Sequence, residues 1–249
     1  MVLPADRRFA DRHEAAAQLS EHLRKYKSSH PVILGIPRGG TVIADVIARE
    51  LDTDLDVVLT RKLGAPGNPE LAIGAIGENG RLFVQYAIAQ AVGADEDYIQ
   101  AERARQMAEI EARRARYRNV LEKVPLQGRT AVLVDDGIAT GATMRASVWA
   151  AHAEGAAETV VAVPVGAPDA IEMLRDEADE VICLLVPAYL YAIGQFFIDF
   201  RQVDDQEVMN ILEAHSRGRR TEDAGQRIKC GLSCPAGHRD PACGQPTVS

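Results

Sequence analysis

The chain predicts an α/β fold, a Rossmann-like parallel sheet flanked by helices. Three observations carry that reading. Short apolar runs such as VILGI (32–36), TAVLVD (130–135) and TVVAVPV (159–165) lack the alternation of a half-exposed strand, so they read as strands buried on both faces. Segments of helical character alternate with them, which is the pattern of strands joined by helical crossovers. The runs end in loops rich in small or charged residues. Ligands of such sheets bind beyond the carboxyl ends of the strands. The loops after Ile36, Thr60, Asp135 and Val165 are therefore expected to share one rim.

The elements follow in order. Residues 11–26 read as an amphipathic helix, with Ala15, Leu19, Leu23 and Tyr26 near helical spacing. VILGI is a strand, PRGG (37–40) a loop and TVIADVIAREL (41–51) a helix. LDVVLTRK (55–62) reads as a second strand ending in a basic pair, and GAPGNPE (64–70), rich in Gly and Pro, as a mobile loop. AIGAIGENGRLFV (72–84) reads as a hairpin turning at its ENG. Residues 95–121 form a long charged helix with a thin apolar stripe, Ile99, Met107, Ile110, Tyr117 and Leu121. Its acidic start and arginine-rich end suit the helix dipole. TAVLVD, a helix over 142–155, TVVAVPV, a helix from about Asp169, and VICLL (181–185) with Cys183 as a small core residue continue the alternation.

Bulk properties narrow the function. The 249 residues suffice for one large domain or two small ones, and a hydrophobic content of 47% describes an ordinary globular core. Residues 1–215 read as the folded domain and 216–249 as a polar, flexible tail. The net charge of -8 argues against a dedicated nucleic-acid binder, which needs a basic face. The N-terminus is not that of a secretory signal, and no apolar run is long enough to span a bilayer, so a cytoplasmic protein without a membrane partner is expected. Three of the four cysteines lie in the tail, which is no disulfide framework for the main body. Cys230, Cys234, His238 and Cys243 are ligand types that suit zinc, but their spacings match no common zinc knuckle. A zinc site and a flexible tail with reduced thiols both remain open, and the spacings favour the tail.

The stretch VLVDDGIATGAT concentrates the chemistry. A strand delivers Asp135 and Asp136 to the rim, and Gly137 lets the chain turn. Ala139, Thr140, Gly141, Ala142 and Thr143 then lead into a helix. Small side chains allow close approach to the backbone, amides at a helix start favour a phosphate, and threonine hydroxyls add donors. The adjacent carboxylates suit hydroxyl donors or a cation. A phosphorylated sugar has a phosphate at one end and hydroxyls at the other. Neither a Walker loop nor a dinucleotide-binding glycine fingerprint is present.

This stretch resembles the 5-phosphoribosyl-1-pyrophosphate (PRPP) signature of the type I phosphoribosyltransferases. The resemblance implies that Asp135 and Asp136 hold the ribose hydroxyls and that residues 139–143 wrap the 5-phosphate. GIPRGG (35–40) looks like the family's pyrophosphate-contacting loop, with Arg38, Gly39 and Gly40 as candidates. TRKLGAPGNPE (60–70) looks like its flexible catalytic loop, where Arg61 and Lys62 begin a flap. Taken singly, Arg38 reads as a solvated loop residue and the Arg-Lys pair as a strand end. The likeness extends over roughly 6–214. The 191–208 segment resembles a group of uncharacterised bacterial and archaeal phosphoribosyltransferase-domain proteins, with Phe196-Phe197 where Trp-Tyr is expected.

The implied activity is a Mg²⁺-dependent pentosyl transfer, a glycosyltransferase reaction on a nitrogenous base or amine with release of pyrophosphate. Asp135 and Asp136 would assist Mg²⁺, directly or through PRPP. Arg38, Arg61 and Lys62 would neutralise the leaving group. A hood from the N-terminal helix, part of 66–121 and 187–201 is expected to hold the acceptor. Phe196 and Phe197, with Tyr189 and Tyr191, are candidates to stack on it, and an equally good core reading stands beside that. Ala139 replaces the Asp that hypoxanthine-guanine enzymes carry before Thr-Gly, which counts against their reaction type. No residue stands out as general base. A homodimer is expected, and the 95–121 helix either shields the site, forms a dimer contact or is a solvated face. A PRPP-sensing regulator on the same fold is the alternative reading.

Overall fold

The computed structural model describes residues 7–217. Its centre is a five-stranded, wholly parallel sheet in the order β2-β1-β6-β7-β8. The strands are β1 (Val32–Gly35), β2 (Asp54–Val57), β6 (Thr130–Val134), β7 (Glu158–Val165) and β8 (Glu180–Leu185). Between β2 and β6 the chain inserts a second, antiparallel sheet of β3 (Thr60–Ala65), β4 (Asn68–Gly77) and β5 (Leu82–Val84).

Successive residues of one strand go to opposite faces of the central sheet. Ile33, Val132, Val134, Val160 and Ala162 pack with α1 (Arg12–Leu23) and α2 (Gly39–Leu51), through residues such as Leu19, Leu23, Ile43 and Ile47. Val32, Leu34, Leu133, Val161 and Val163 pack instead with α5 (Ala142–Ala153) and α6 (Pro168–Arg175), through Met144, Val148, Ile171 and Leu174. This two-sided burial explains why the strands are continuously apolar. Asp11 caps α1 by accepting from the amides of His13 and Glu14, and α1 gives way at Arg24 to a 3₁₀ turn through Ser29.

The inserted sheet leans on α5. Phe83 of β5 stacks on Trp149 at 4.8 Å between ring centroids, and Ala72, Ala75 and Ala146 complete that small cluster. A short helix, α3 (Tyr86–Ala91), follows β5. The long helix α4 (Glu96–Tyr117) then packs along β3, capped by Asp95 and burying Ile99, Ile110 and Tyr117. A helix over 205–217 ends the described chain.

Three expectations are corrected. The segment 55–62 is not one strand: β2 stops at Val57, the Val58 amide donates to Gly35 O at 3.0 Å, and Thr60 opens β3 in the other sheet. The segment 64–70 is not a loop but the tip of the β3–β4 hairpin, turning at Pro66-Gly67 with Gly67 at φ 71°. A Cβ on Gly64 would meet Pro69 Cα at 2.8 Å, so glycine there permits the close pairing. Cys183 is only half-buried, because β8 is an edge strand. Enclosure of its thiol nevertheless pushes the pKa up to about 12. The hairpin turning at Glu78-Asn79-Gly80 has its expected form. Residues 230–243, with the candidate zinc ligands, lie outside the described residues.

Candidate active site

The carboxyl ends of β1, β6 and β7 meet at one rim. The Ile36 amide donates to Val134 O at 2.8 Å and the Ile138 amide to Val165 O at 2.9 Å. Asp135 and Asp136 therefore emerge between the loop after β1 and the loop after β7. The contact with the first loop is very close. α2 starts at Gly39, two residues earlier than the sequence suggests, and lays Gly39 and Gly40 against the aspartates. A Cβ on Gly39 would overlap the Asp136 carboxylate, and one on Gly40 would meet Val134 O at 2.5 Å and Asp135 Cα at 2.9 Å. Only glycines fit beside the acids.

The two acids differ in their surroundings. The Asp135 carboxyl accepts from the Asp136 amide at 2.8 Å. Burial of this carboxyl, reinforced by the charge of Asp136, raises its pKa well above the usual carboxylate range. Asp136 is instead gripped by Arg12, whose Nε and Nη2 donate to Oδ2 at 2.9 and 2.7 Å. Arg12 comes from the first turn of α1. It also donates to Arg201 O at 2.9 Å and lies over the Phe200 ring at 4.0 Å. It thus ties the N-terminal helix and the 200–201 segment to the aspartate pair. Sequence reading missed Arg12 altogether, because nothing local marks an arginine whose partner lies 124 residues away.

Beyond Gly137 the chain reaches Ala139, Thr140 and Thr143, all exposed. Gly141, at φ 75°, is the N-cap of α5 and supplies no side-chain cap, and the Ala142 amide reaches only the Thr140 hydroxyl, at a long 3.5 Å. Helix-start amides that lack an N-cap side chain, beside two threonine hydroxyls, form a cradle suited to an anion. The start of α2 also lacks a side-chain cap, with exposed Arg38 at its N-cap position.

Arg61 and Lys62 sit on β3, opposite Ile76 and Ala75 of β4. The Arg61 guanidinium pairs with Glu109 of α4 at 3.1 Å. The basic pair thus belongs to the inserted sheet, whereas Gly39 and Gly40 adjoin the aspartates directly and Arg38 precedes them in the loop after β1. The stacking candidates need correction. Phe196 and Phe197 are 5% and 4% exposed, with Phe197 against Phe9 and Phe200. They are core residues. Tyr189 and Tyr191 are exposed, and Ile193 of the same segment covers Gly137, where a Cβ would meet it at 2.5 Å.

The rim of this parallel sheet thus carries an acid pair, close-packed glycines and a helix start whose N-cap residue is a glycine. The model of the phosphoribosyl transferase domain matches residues 2–190, and the chain belongs to that family. It is 42% identical over 209 residues to Rv0571c and to MT0597 of two Mycobacterium tuberculosis strains, both carrying provisional phosphoribosyl transferase names. That match takes in 84% of this chain but 47% of those proteins, so the chain spans about half the length of these relatives. The crystal structure of TT1426 from Thermus thermophilus is 48% identical, with a TM-score of 0.79 over 83% of this chain and 98% of that one. Among the described residues, no helix is long and apolar enough to cross a membrane.

Proposed function

We propose that the chain binds PRPP and transfers its phosphoribosyl group to a nitrogenous base or related amine, releasing pyrophosphate. One observation carries the reading. Asp135 and Asp136 stand in the loop that leads to the glycine-capped start of α5, and against Gly39 and Gly40. The spacing suits the two ends of one phosphoribose. The α5 amides with Thr140 and Thr143 take the 5-phosphate, and the carboxyls of Asp135 and Asp136 accept from the ribose hydroxyls.

Displacement at the sugar's anomeric carbon builds negative charge on the departing diphosphate. Arg38 is placed to meet that charge from the loop after β1. Arg61 and Lys62 would join from the β3–β4 hairpin, Arg61 by exchanging Glu109 for the diphosphate. Closure of that hairpin would exclude water from the reacting carbon. Among the described residues, no group of three or more His, Cys, Asp or Glu side chains could hold a metal ion, and Asp136 is already engaged by Arg12. These residues fit a Mg²⁺ ion bound chiefly through the donor's own oxygens, with the acids assisting. Such an ion would add positive charge at the diphosphate.

The test is release of pyrophosphate from PRPP against a panel of bases. Base-dependent release by wild type, lost in Asp135→Asn/Asp136→Asn, supports the reading. PRPP binding without release from any base would favour a sensor.

A further inference from the structure

The first turn of α5 carries a cation without a counter-charge. Arg145 lies four residues after Gly141, and its amide donates to Gly141 O at 2.8 Å. A helical side chain covers the turn N-terminal to its own Cα, so this guanidinium belongs to the cradle end of the helix. Among the described residues it meets no carboxylate. Nη1 donates to Met173 Sδ at 3.6 Å, Nη2 donates to Ala72 O at a long 3.4 Å, and Nε is buried without a partner. Its flat face lies over the Trp149 ring at 4.7 Å.

In the free protein this placement is unfavourable. A helix start is already the positive end of the dipole, so a cation there is disfavoured until an anion joins it. The unpartnered buried Nε adds to the cost. Met173 connects the guanidinium to the cradle. A Cβ on Gly141 would meet Met173 Cε at 2.7 Å, so Arg145 stands one thioether away from the residue on which the cradle turns.

The other contact of Arg145 lies on the inserted sheet. Ala72 of β4 pairs with Gly64 of β3, and the register shifts on both sides of Gly64. The base of this hairpin is fixed to α5. Thr60 Oγ1 lies 3.2 Å from Ser147 Oγ, which donates to Thr143 O at 3.0 Å, and Phe83 stacks on Trp149. Register shifts are where a strand pair bends, and Arg145 grips β4 at that level. One cation thus touches both the support of the cradle and the bend of the hairpin that bears Arg61 and Lys62.

We propose that Arg145 is a positioning residue that makes the placement of the β3–β4 hairpin depend on an anion in the α5 cradle. The anion supplies the missing counter-charge and fixes the guanidinium. The fixed guanidinium then holds Ala72 O, and with it the distal half of the hairpin. The choice of a sugar phosphate as that anion rests on the phosphoribosyl reading.

The experiment is amide hydrogen exchange of the full chain, wild type, Arg145→Met and Arg145→Lys, with and without saturating ribose 5-phosphate. Calorimetric titration gives the affinities, and cooperative melting reports folding. Met keeps packing on Trp149 and drops the charge and donors. Lys keeps the charge and lacks the paired donors. Arg145→Met is expected to bind ribose 5-phosphate roughly tenfold more weakly, the scale of one opposite charge at a partly shielded site. Arg145→Lys retains most of the affinity. In wild type the ligand slows exchange over residues 64–72, the span from the bend to Ala72, and at saturation it does so in neither variant. Near-normal binding without hairpin protection in Arg145→Lys is the signature that a packing role alone would not give.

Arg145→Met that binds ribose 5-phosphate like wild type, or whose hairpin is still protected at saturation, overturns the proposal alone. So does wild type that binds the ligand with no change in exchange over 64–72. Wild type that binds neither ribose 5-phosphate nor PRPP overturns the proposal and the phosphoribosyl reading together.

Discussion

Arg12 and Asp136 show how one side chain can set the character of a site. The guanidinium delivers two hydrogen bonds to one carboxylate oxygen, and the pair is largely shielded from water, with side-chain exposures of 9% and 17%. Arg12 thereby holds the orientation of Asp136 and leaves Oδ1 free for a ligand hydroxyl. Replacing Arg12 by Ala is expected to weaken PRPP binding roughly tenfold or more, by loss of charge-assisted hydrogen bonds. Lys is expected to restore little, since it cannot supply the paired donors or lie flat on Phe200. Calorimetric PRPP titration of both variants, with melting curves to check folding, measures this. Wild-type affinity in Arg12→Ala would refute it.

The neighbouring Asp135 makes a prediction about pH. Burial and the charge of Asp136 raise its folded-state pKa above the ordinary 3.8. The folded form then holds its proton more tightly than the unfolded chain does. The stability contributed is full below the unfolded value and is lost as pH rises through the folded one. Asp135→Asn cannot ionise, so its Tm should gain on wild type as the buffer moves from acid to neutral. A constant Tm difference across that range would contradict the assignment.

Between elements, the joint that matters is a cluster of charges linking the two sheets. Arg118, just past α4, donates to Asp56 of β2 at 2.6 Å and to Glu78, just past β4, at 2.8 and 2.5 Å. Lys123 bridges Glu78 and Glu154. Burial would raise the Glu78 carboxyl, but Arg118 and Lys123 prevail and hold it below its usual range. Arg118→Ala leaves buried Asp56 without its cation and Glu78 with Lys123 alone, and should cost about 3–5 kcal/mol of stability in denaturant unfolding. Glu78 ionisation favours the fold above the unfolded pKa of 4.5, and that contribution disappears as pH falls through the lower folded value. Glu78→Gln should therefore show a smaller loss of stability on acidification than wild type. Trp149, the one tryptophan of the chain, stacks on Phe83 and reports whether the inserted sheet stays docked on α5. Its fluorescence should shift to the red in Phe83→Ala, and an unchanged spectrum would deny that contact.

Across the whole molecule, legibility in the sequence followed the range of the interactions. Strands buried on both faces announce themselves as apolar runs, and each of the five central strands overlaps a segment read as a strand, although β2, β7 and β8 begin one residue earlier and β2 ends well before its segment does. The acid pair and the loop into α5 are contiguous, so their motif was visible as a string. The partition of 55–77 was not, because the choice between the two sheets is decided by pairing and by Trp149 packing. The charge of Arg12 and the burial of Phe196 and Phe197 were likewise hidden, since each depends on chain brought from far away. The family resemblance identified the rim, and tertiary contact decided which side chains face it.

The central claim is that Asp135, Asp136 and the α5 start hold one phosphoribose. Calorimetric titration of PRPP in Mg²⁺ buffer into wild type and Asp135→Asn/Asp136→Asn tests it most directly. Saturable one-site binding by wild type, abolished in a double variant that melts cooperatively, is the predicted result. No binding by folded wild type, or equal binding by the variant, would contradict it.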